Sequence, residues 1–256
     1  MTKLYIDAGT SWSKVLEIYE DEKDLTNSPL NKIKNLNNYI YKEENRALQD
    51  KEDHPITGRV LLFPSKFCGS LKVKYDAATG HMVKKRINEK GIYQNEMLCF
   101  AYGAKKLIDD EELKDATIVD IGSRDTKWVR FVDGKYKDLD WNGNCGSATG
   151  ATVEMLTKFY NVDVSKITPQ EERIPVTCGV FSMEKIMDDI ASNVSPDIAI
   201  AKYINGLAHN TWNFSGRPKK MYLSGGFCMN KCFLDSLDFY CDVVPLGRLV
   251  LLEGLY

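Results

Sequence analysis

Residues 120–127 read DIGSRDTK and join a β-rich run at 116–121 to another at 128–132. An acidic residue at a strand end, followed by a glycine, a hydroxyl residue and a second strand, is typical of a β-hairpin. Glycine lets the backbone approach a phosphate closely, and a nearby carboxylate can hold Mg²⁺ directly or through water. The stretch predicts a phosphate-binding turn, while an ordinary hairpin turn of the same composition remains an alternative.

The same pattern occurs near the N-terminus, where residues 7–14 read DAGTSWSK between strand-like runs at 3–7 and 15–19. A third glycine turn closes the run at 221–224, where Gly225 and Gly226 precede a helical pattern at 230–240. One such turn is weak support for a nucleotide site. The ordered set of three is much stronger support.

Length and composition limit the possible classes of protein. The 256 residues suit two modest lobes, and 43% hydrophobic with 27% charged residues is typical of a soluble globular chain. A net charge of −2 argues against nucleic-acid binding, and the longest apolar stretches are far shorter than the ~20 residues that cross a bilayer. We therefore expect a cytoplasmic protein that binds neither nucleic acid nor membrane.

Periodicity predicts a mixed α/β fold. Strands are expected at 60–63 and 71–75 besides those of the turns, and a helix is expected at 36–48 within a polar segment. Further helices are predicted at 95–108, 150–160, 182–192 and 197–212, and a tight turn at 133–134. The four tryptophans lie in or beside apolar runs, so we expect them in the core.

The ordered motifs resemble those of the superfamily that contains actin, the heat-shock 70 ATPase domain and sugar kinases. More closely, they resemble the BcrA/BadF/BzdA-type ATPases, the activators of 2-hydroxyacyl-CoA dehydratases and benzoyl-CoA reductases. The first turn is similar to D-x-G-S-T-T-x-K, the second to D-I-G-G-Q-D-S-K and residues 225–230 to G-G-V-A-x-N. The resemblance covers residues 3–14 and 78–256, and also includes a T-G-Y-G-like segment at 78–81 and a T-E-I-x-x-H-A-x-G-A-like helix at 95–104.

This resemblance implies a two-lobed actin-like, ribonuclease H-like fold with duplicated βββαβα-type lobes. The lobes are expected at 1–115, with an atypical region at 21–75, and at 116–256, with ATP held between the two hairpin turns. The implied site comprises catalytic or Mg²⁺-holding Asp7, Asp120 and Glu96, and nucleotide-binding Gly9, Thr10, Ser11, Lys14, Gly122, Ser123, Asp125, Gly225, Gly226 and Asn230. Two departures stand out: Arg124 replaces the family's Gln, which bears on hydrolysis rate, and Phe100 replaces its His.

The seven cysteines are an odd number, which argues against a disulfide framework. Cys145 and Cys178 each precede a predicted helix, whose N-terminal dipole stabilises a thiolate. By spacing alone, a pair of cysteines 33 residues apart is more often two unrelated buried thiols than a ligand pair. The family carries its cluster ligands in N-D-K-C-A-A-G-T-G and C-x-V-F-A-E-S-E, so the resemblance implies one [4Fe-4S] cluster shared by a homodimer. Cys228 and Cys232 are expected to be packing residues.

The activity implied by the resemblance is that of an ATP-hydrolysing electron-transfer activator. Its partner would be an iron–sulfur dehydratase or reductase acting on CoA esters, and its electron donor a ferredoxin or flavodoxin. A small-molecule, sugar-type kinase with structural cysteines is the main alternative, and Asp120 would then be the general base. A nucleotide-sensing scaffold without turnover is a third.

Overall fold

The computed structural model describes residues 2–19, 23, 26–32, 42–49, 55–71, 74–87, 91–142, 150–176 and 179–256. The strands are β1 (Lys3–Ala8), β2 (Trp12–Tyr19), β3 (Lys42–Gln49), β4 (Pro55–Pro64), β5 (Ala77–Thr79), β6 (Ile92–Tyr93), β7 (Asp115–Ile121), β8 (Thr126–Val132), β9 (Lys135–Asn142), β10 (Lys220–Ser224) and β11 (Asp242–Gly247). The α-helices are α1 (Val83–Arg86), α2 (Glu96–Leu107), α3 (Gly150–Phe159), α4 (Gly179–Ala191), α5 (Pro196–Phe214), α6 (Lys231–Leu237) and α7 (Val250–Glu253). Short 3-10 helices occur at Pro29–Lys32, Ser65–Ser70, Glu112–Lys114, Val164–Lys166 and Gly226–Met229.

Residue contacts divide the chain into two compact units. The first unit is Met1–Lys106 with Leu249–Tyr256, and the second is Leu107–Arg248. The last residues of the chain therefore pack with the first unit, whereas the sequence placed them in the second lobe. Each unit contains one sheet, and each sheet is built around one of the two predicted hairpins.

The first unit contains a sheet of six strands in the order β3-β4-β2-β1-β5-β6. β1 and β2 form an antiparallel hairpin, and β5 lies parallel to β1 on its other side. Alternating side chains of β1, among them Leu4 and Ile6, are buried together with Val15 of β2 in one apolar cluster. The sheet therefore fixes the end of β1 beside the end of β5.

The second unit contains a sheet of five strands in the order β11-β10-β7-β8-β9. β7 and β8 form the antiparallel hairpin, and β10 lies parallel to β7. Helix α5 provides much of the core, with Ile200, Tyr203 and Ile204 wholly buried. The β8–β9 connection at Asp133 and Gly134 has φ of 52° and 67°, as a two-residue type I′ hairpin turn requires.

Most predicted elements are confirmed: both hairpins, the strand in 60–63, the helix in 95–108 and the three helices that follow residue 150. The helix predicted at 36–48 is wrong over its described part, because residues 42–49 form β3 and pair antiparallel with β4. Residues 36–41 lie outside the described residues. Pairing with a neighbouring strand here overrides the weak helical pattern.

Three smaller predictions also differ from the structure. Leu71 and Tyr75 are buried in the core of the first unit, but the described residues of 71–75 are not in a strand, so burial alone explains their apolar character. The helix predicted at 230–240 ends earlier, at Leu237. Trp141, expected in the core, is 58% exposed, because its indole N–H is directed to a carboxylate instead.

Candidate functional site

The first turn carries a buried ion pair at its base. Asp7 at the end of β1 lies directly opposite Lys14 of β2 in the hairpin register. Lys14 Nζ lies 2.5 Å from Asp7 Oδ2, and the two residues are only 9% and 2% exposed. Buried charges of this kind need a partner, and each here is the partner of the other. The pair places a carboxylate and an ammonium immediately below the turn.

The backbone of the first turn is held from one side. The hydroxyl of Ser65 donates to the carbonyl of Gly9 at 2.6 Å, and its backbone N–H donates to the carbonyl of Ser11 at 2.8 Å. Because a trans peptide points its N–H opposite to its C=O, the N–H of Thr10 is directed away from Ser65. Thr10 itself is exposed, so the turn presents an accessible backbone donor, as a phosphate requires.

The second turn repeats this ion pair in the second unit. Asp120 at the end of β7 lies opposite Lys127 of β8, and both residues are 4% exposed. Lys127 Nζ is 3.5 Å from Asp120 Oδ2 and 3.5 Å from Asp125 Oδ1. The hydroxyl of Ser224, on the parallel strand β10, donates to Asp120 Oδ1 at 2.8 Å. Asp120 is thus held by two elements that are distant in sequence.

The two units share one local design beyond the turns. In each, the strand parallel to the aspartate-bearing strand puts a hydroxyl residue in register with that aspartate: Thr79 with Asp7, and Ser224 with Asp120. A glycine of positive φ follows each hydroxyl residue, Gly80 at +98° and Gly225 at +94°. The repetition shows that the sheet, and not only the turn, positions each aspartate.

Sequence reasoning placed four members of this repeated arrangement in the quoted motifs but assigned them no role in the site. They are the residues that complete the two copies: Thr79, Gly80, Lys127 and Ser224. A signal for one of them was present, because each turn has a lysine at the same spacing after its aspartate, as Asp7 to Lys14 and Asp120 to Lys127. Thr79 and Gly80 fall in the T-G-Y-G-like segment and Ser224 ends the run before the glycine pair, but only strand pairing shows that the two hydroxyl residues lie in register with the aspartates.

The predicted adenosine-binding residues follow β10. Gly226 begins the 3-10 helix Gly226–Met229, and Asn230 caps α6, its side-chain oxygen accepting the N–H of Phe233 at 2.9 Å. The structure therefore gives Asn230 a capping interaction of its own. Cys228 and Cys232 are buried, which confirms the expectation that they are packing residues.

Glu96, the third predicted acidic residue, is the first residue of α2. Asn95 caps this helix by accepting the N–H groups of Met97 and Leu98 at 2.9 and 3.3 Å. Burial, together with the nearby charges of Asp7 and Glu96, raises the pKa of the Cys99 thiol on the same helix to about 11. Glu96 and Asp7 thus share one electrostatic neighbourhood in the first unit.

The two predicted cluster ligands, Cys145 and Cys178, lie outside the described residues. Helix α3 begins after the first of them in sequence, and α4 begins directly after the second. The cysteines that the structure describes are all buried: Cys68, Cys99, Cys228, Cys232 and Cys241. Burial raises the pKa of the thiols of Cys232 and Cys241 to about 11, so these thiols stay protonated at neutral pH.

Among the residues that the structure describes, no three His, Cys, Asp or Glu side chains are grouped as a metal centre requires. None of the helices in the described ranges combines the length and apolarity needed to span a bilayer.

Comparison with known sequences identifies related proteins. The model of the BadF/BadG/BcrA/BcrD ATPase family matches residues 63–241, more than half of the chain. The activator of lactoyl-CoA dehydratase from Anaerotignum propionicum is 24% identical over 172 residues, which cover 62% of this chain and 63% of that protein. The (R)-2-hydroxyglutaryl-CoA dehydratase activating ATPase from Acidaminococcus fermentans is 24% identical over 149 residues, covering 53% and 54%. The matched regions thus span less than two thirds of either relative.

Comparison with solved structures confirms the predicted actin-like α/β fold. The activator of the 2-hydroxyisocaproyl-CoA dehydratase from Clostridium difficile, solved with bound ADPNP, superposes with a TM-score of 0.67. The match covers 99% of this chain and 92% of that one at 16% sequence identity. At this identity the similarity establishes the fold, and the function must be argued from the site.

Proposed function

The chain belongs to the BadF/BadG/BcrA/BcrD ATPase family, and we propose on that premise that it is an ATP-hydrolysing electron-transfer activator. It binds Mg-ATP and forms a homodimer that shares one [4Fe-4S] cluster. It passes low-potential electrons from a reduced ferredoxin or flavodoxin to an iron–sulfur dehydratase or reductase that acts on CoA esters. Relatives named as dehydratase activators support the class of partner.

The repeated buried aspartate–lysine pair is the observation that carries the nucleotide part of this proposal. Asp7 and Asp120 supply carboxylate oxygens, which Mg²⁺ prefers, and would hold the ion directly or through its waters. Asp120 Oδ2 lies 3.5 Å from the Lys127 ammonium, beyond a short hydrogen bond. Bound Mg²⁺ would neutralise phosphate charge.

The remaining groups of the two turns suit the phosphates of ATP. The backbone amides around Gly9, Thr10, Gly122 and Ser123 are assigned to the phosphate oxygens, with Ser11 as a neighbouring hydroxyl. Lys14 supplies a buried cation beside the first turn, and Asp125 orients the second. Glu96 is assigned to water or metal positioning. Gly225, Gly226 and Asn230 would border the adenosine, where the absence of a side chain at Gly226 leaves open space for the base.

The cluster assignment rests on the chemistry of the donor set. Two cysteines of one chain provide half of the usual four thiolates, so a second copy of the chain completes the set. Cys145 and Cys178 are assigned to it because their flanking sequences resemble the family's two ligand motifs, and the five cysteines that the structure describes are buried. Helix α4 begins directly after Cys178, so the positive end of its dipole would stabilise a thiolate there.

ATP can drive electron transfer only through a difference in binding free energy. If the nucleotide binds one dimer geometry more tightly than another, its binding shifts the population toward that geometry. By reciprocity, the favoured geometry binds ATP more tightly by the same factor. Hydrolysis then removes this difference and resets the protein.

The decisive experiment measures iron and acid-labile sulfide in protein purified without oxygen. We expect about four irons per dimer in the wild type, and loss of iron in both Cys145→Ala and Cys178→Ala. Cys228→Ala and Cys232→Ala are matched controls, since they remove buried packing thiols, and they should retain the iron. A wild-type protein without iron after anaerobic reconstitution would refute the cluster and leave the kinase and scaffold interpretations to substrate screening.

A further inference from the structure

The start of helix α3 is hydrogen-bonded to the second phosphate turn. The N–H of Gly150 donates to the carbonyl of Gly122 at 3.4 Å, and the N–H of Ala151 donates to the carbonyl of Ser123 at 3.2 Å. The turn is closed on itself by the N–H of Gly122, which donates to the carbonyl of Asp125 at 3.0 Å. Two successive peptide groups of the turn are thus fixed by the first two amides of one helix.

These two bonds determine where the turn presents its own donors. In a trans peptide the C=O of one residue and the N–H of the next point in opposite directions, and the described chain contains no cis peptide. With the carbonyls of Gly122 and Ser123 directed at α3, the N–H groups of Ser123 and Arg124 are directed away from it. That is the side on which an oxyanion can bind to both of them.

Gly150 fits tightly against the turn that it holds. A Cβ atom at this position would lie 3.2 Å from the carbonyl oxygen of Gly122 and 3.1 Å from a ring carbon of Phe227. Both distances are shorter than ordinary van der Waals contact, so a side chain here would force the turn, the Phe227 ring or the helix start to shift by a few tenths of an ångström. A glycine at position 150 therefore permits the close approach.

A second contact holds the other end of the turn. The indole N–H of Trp141, near the end of β9, donates to Asp125 Oδ2 at 3.0 Å, while Lys127 lies on the other oxygen of this carboxylate. Since Trp141 is 58% exposed, apolar burial does not explain its orientation. The indole acts as an external brace on Asp125.

We propose that Gly150 and Ala151, braced through Trp141, are positioning residues for nucleotide binding: the start of α3 orients the second turn toward phosphate. The inference rests on the proposed ATP binding. A phosphate bound to the N–H groups of Ser123 and Arg124 would polarise the two peptides whose carbonyls accept the Gly150 and Ala151 bonds, and would therefore strengthen these bonds. ATP binding and the position of α3 are then coupled in both directions. In sequence, Cys145 lies between β9 and α3, the two elements that donate hydrogen bonds to the turn.

The test compares Gly150→Ala with wild type by calorimetric titration of Mg-ATP and by hydrogen exchange at residues 150–152. We expect ATP to slow exchange at these amides in the wild type, and the variant to lose this effect. Affinity should fall by about tenfold, the equivalent of one hydrogen bond. Gly69→Ala is the control, because a Cβ there meets nothing closer than 3.9 Å, and it should bind ATP like the wild type.

Trp141→Phe provides an independent variant if Gly150→Ala proves unstable. It removes the indole N–H and keeps an aromatic ring at this exposed position, and we expect it to weaken ATP binding severalfold without lowering the melting temperature. Wild-type affinity and wild-type exchange in both folded variants would overturn the inference. A wild-type chain that binds no ATP would instead overturn the proposed function, so the two failures are distinguishable.

Discussion

Gly225→Ala tests whether the protein needs a glycine at the end of β10 for stability, where the chain lies close to β7. Gly225 has φ of 94° and ψ of 176°, a combination that is essentially restricted to glycine. A Cβ here would lie 2.3 Å from the carbonyl oxygen of Ile121, on the neighbouring strand. The next residue, Gly226, provides a matched control, because a Cβ there would meet nothing within 4 Å and its φ is not in the left-handed region.

The expected loss of stability has two parts. Backbone strain contributes about 1–3 kcal/mol, and the overlap with Ile121 contributes about 1–3 kcal/mol, which together give about 2–6 kcal/mol. The melting temperature of Gly225→Ala should therefore fall by at least about 4 °C, whereas Gly226→Ala should stay within about 0.5 kcal/mol of wild type. Thermal unfolding followed by circular dichroism measures both. Equal melting temperatures for the two variants would refute the argument that Gly225 is required where the strands meet.

Three further predictions follow from the described residues. Asp120→Asn should lower ATP hydrolysis at least tenfold, since one charged ligand to Mg²⁺ is lost, while iron per dimer stays unchanged; loss of iron would contradict the proposed division between nucleotide and cluster residues. Burial lowers the pKa of His209 in the folded protein. As the pH is lowered through about 6.5, the imidazole is therefore protonated in the unfolded chain before it is protonated in the folded one, and the folded state loses stability. The free energy of unfolding in urea should decrease more between pH 7.5 and pH 5 in the wild type than in His209→Gln. An equal decrease in both proteins would disprove the assignment of this pH dependence to His209. Three thiols have a pKa of about 11, those of Cys99, Cys232 and Cys241, and in native protein at pH 7.5 they should resist alkylation by iodoacetamide. Rapid alkylation of these cysteines, detected by mass spectrometry, would contradict their burial.

Both phosphate turns could be predicted because a hairpin is a local structure. The residues from Asp7 to Lys14 and from Asp120 to Lys127 contain the strand ends, the turn glycine and the opposing lysine in one short stretch. Strand pairing then brings each lysine to its aspartate without help from distant residues. The helices were predictable for a similar reason, since an apolar stripe at helical spacing depends only on neighbouring turns.

The errors occurred where a partner outside the segment itself determines the conformation. Residues 42–49 have no strong pattern of their own and become a strand because β4 provides an edge for pairing. Trp141 has the composition of a core residue, yet the carboxylate of Asp125 offers its indole a hydrogen bond at the surface. Residue type predicts the secondary structure and burial that a side chain favours on average. Where a strand edge or a hydrogen-bond acceptor is available nearby, that partner determines the conformation instead.

The sequence alone therefore established the α/β class, the two turns and the residue types that suit Mg-ATP and thiolate chemistry. Only the tertiary structure showed that Ser224 donates to Asp120, that Gly225 lies against Ile121 and that the amides of α3 hold the second turn. These contacts join residues from separate strands and helices. Parallel pairing and helix packing bring them together through burial and hydrogen bonding across the whole unit, and no local stretch of sequence encodes that arrangement.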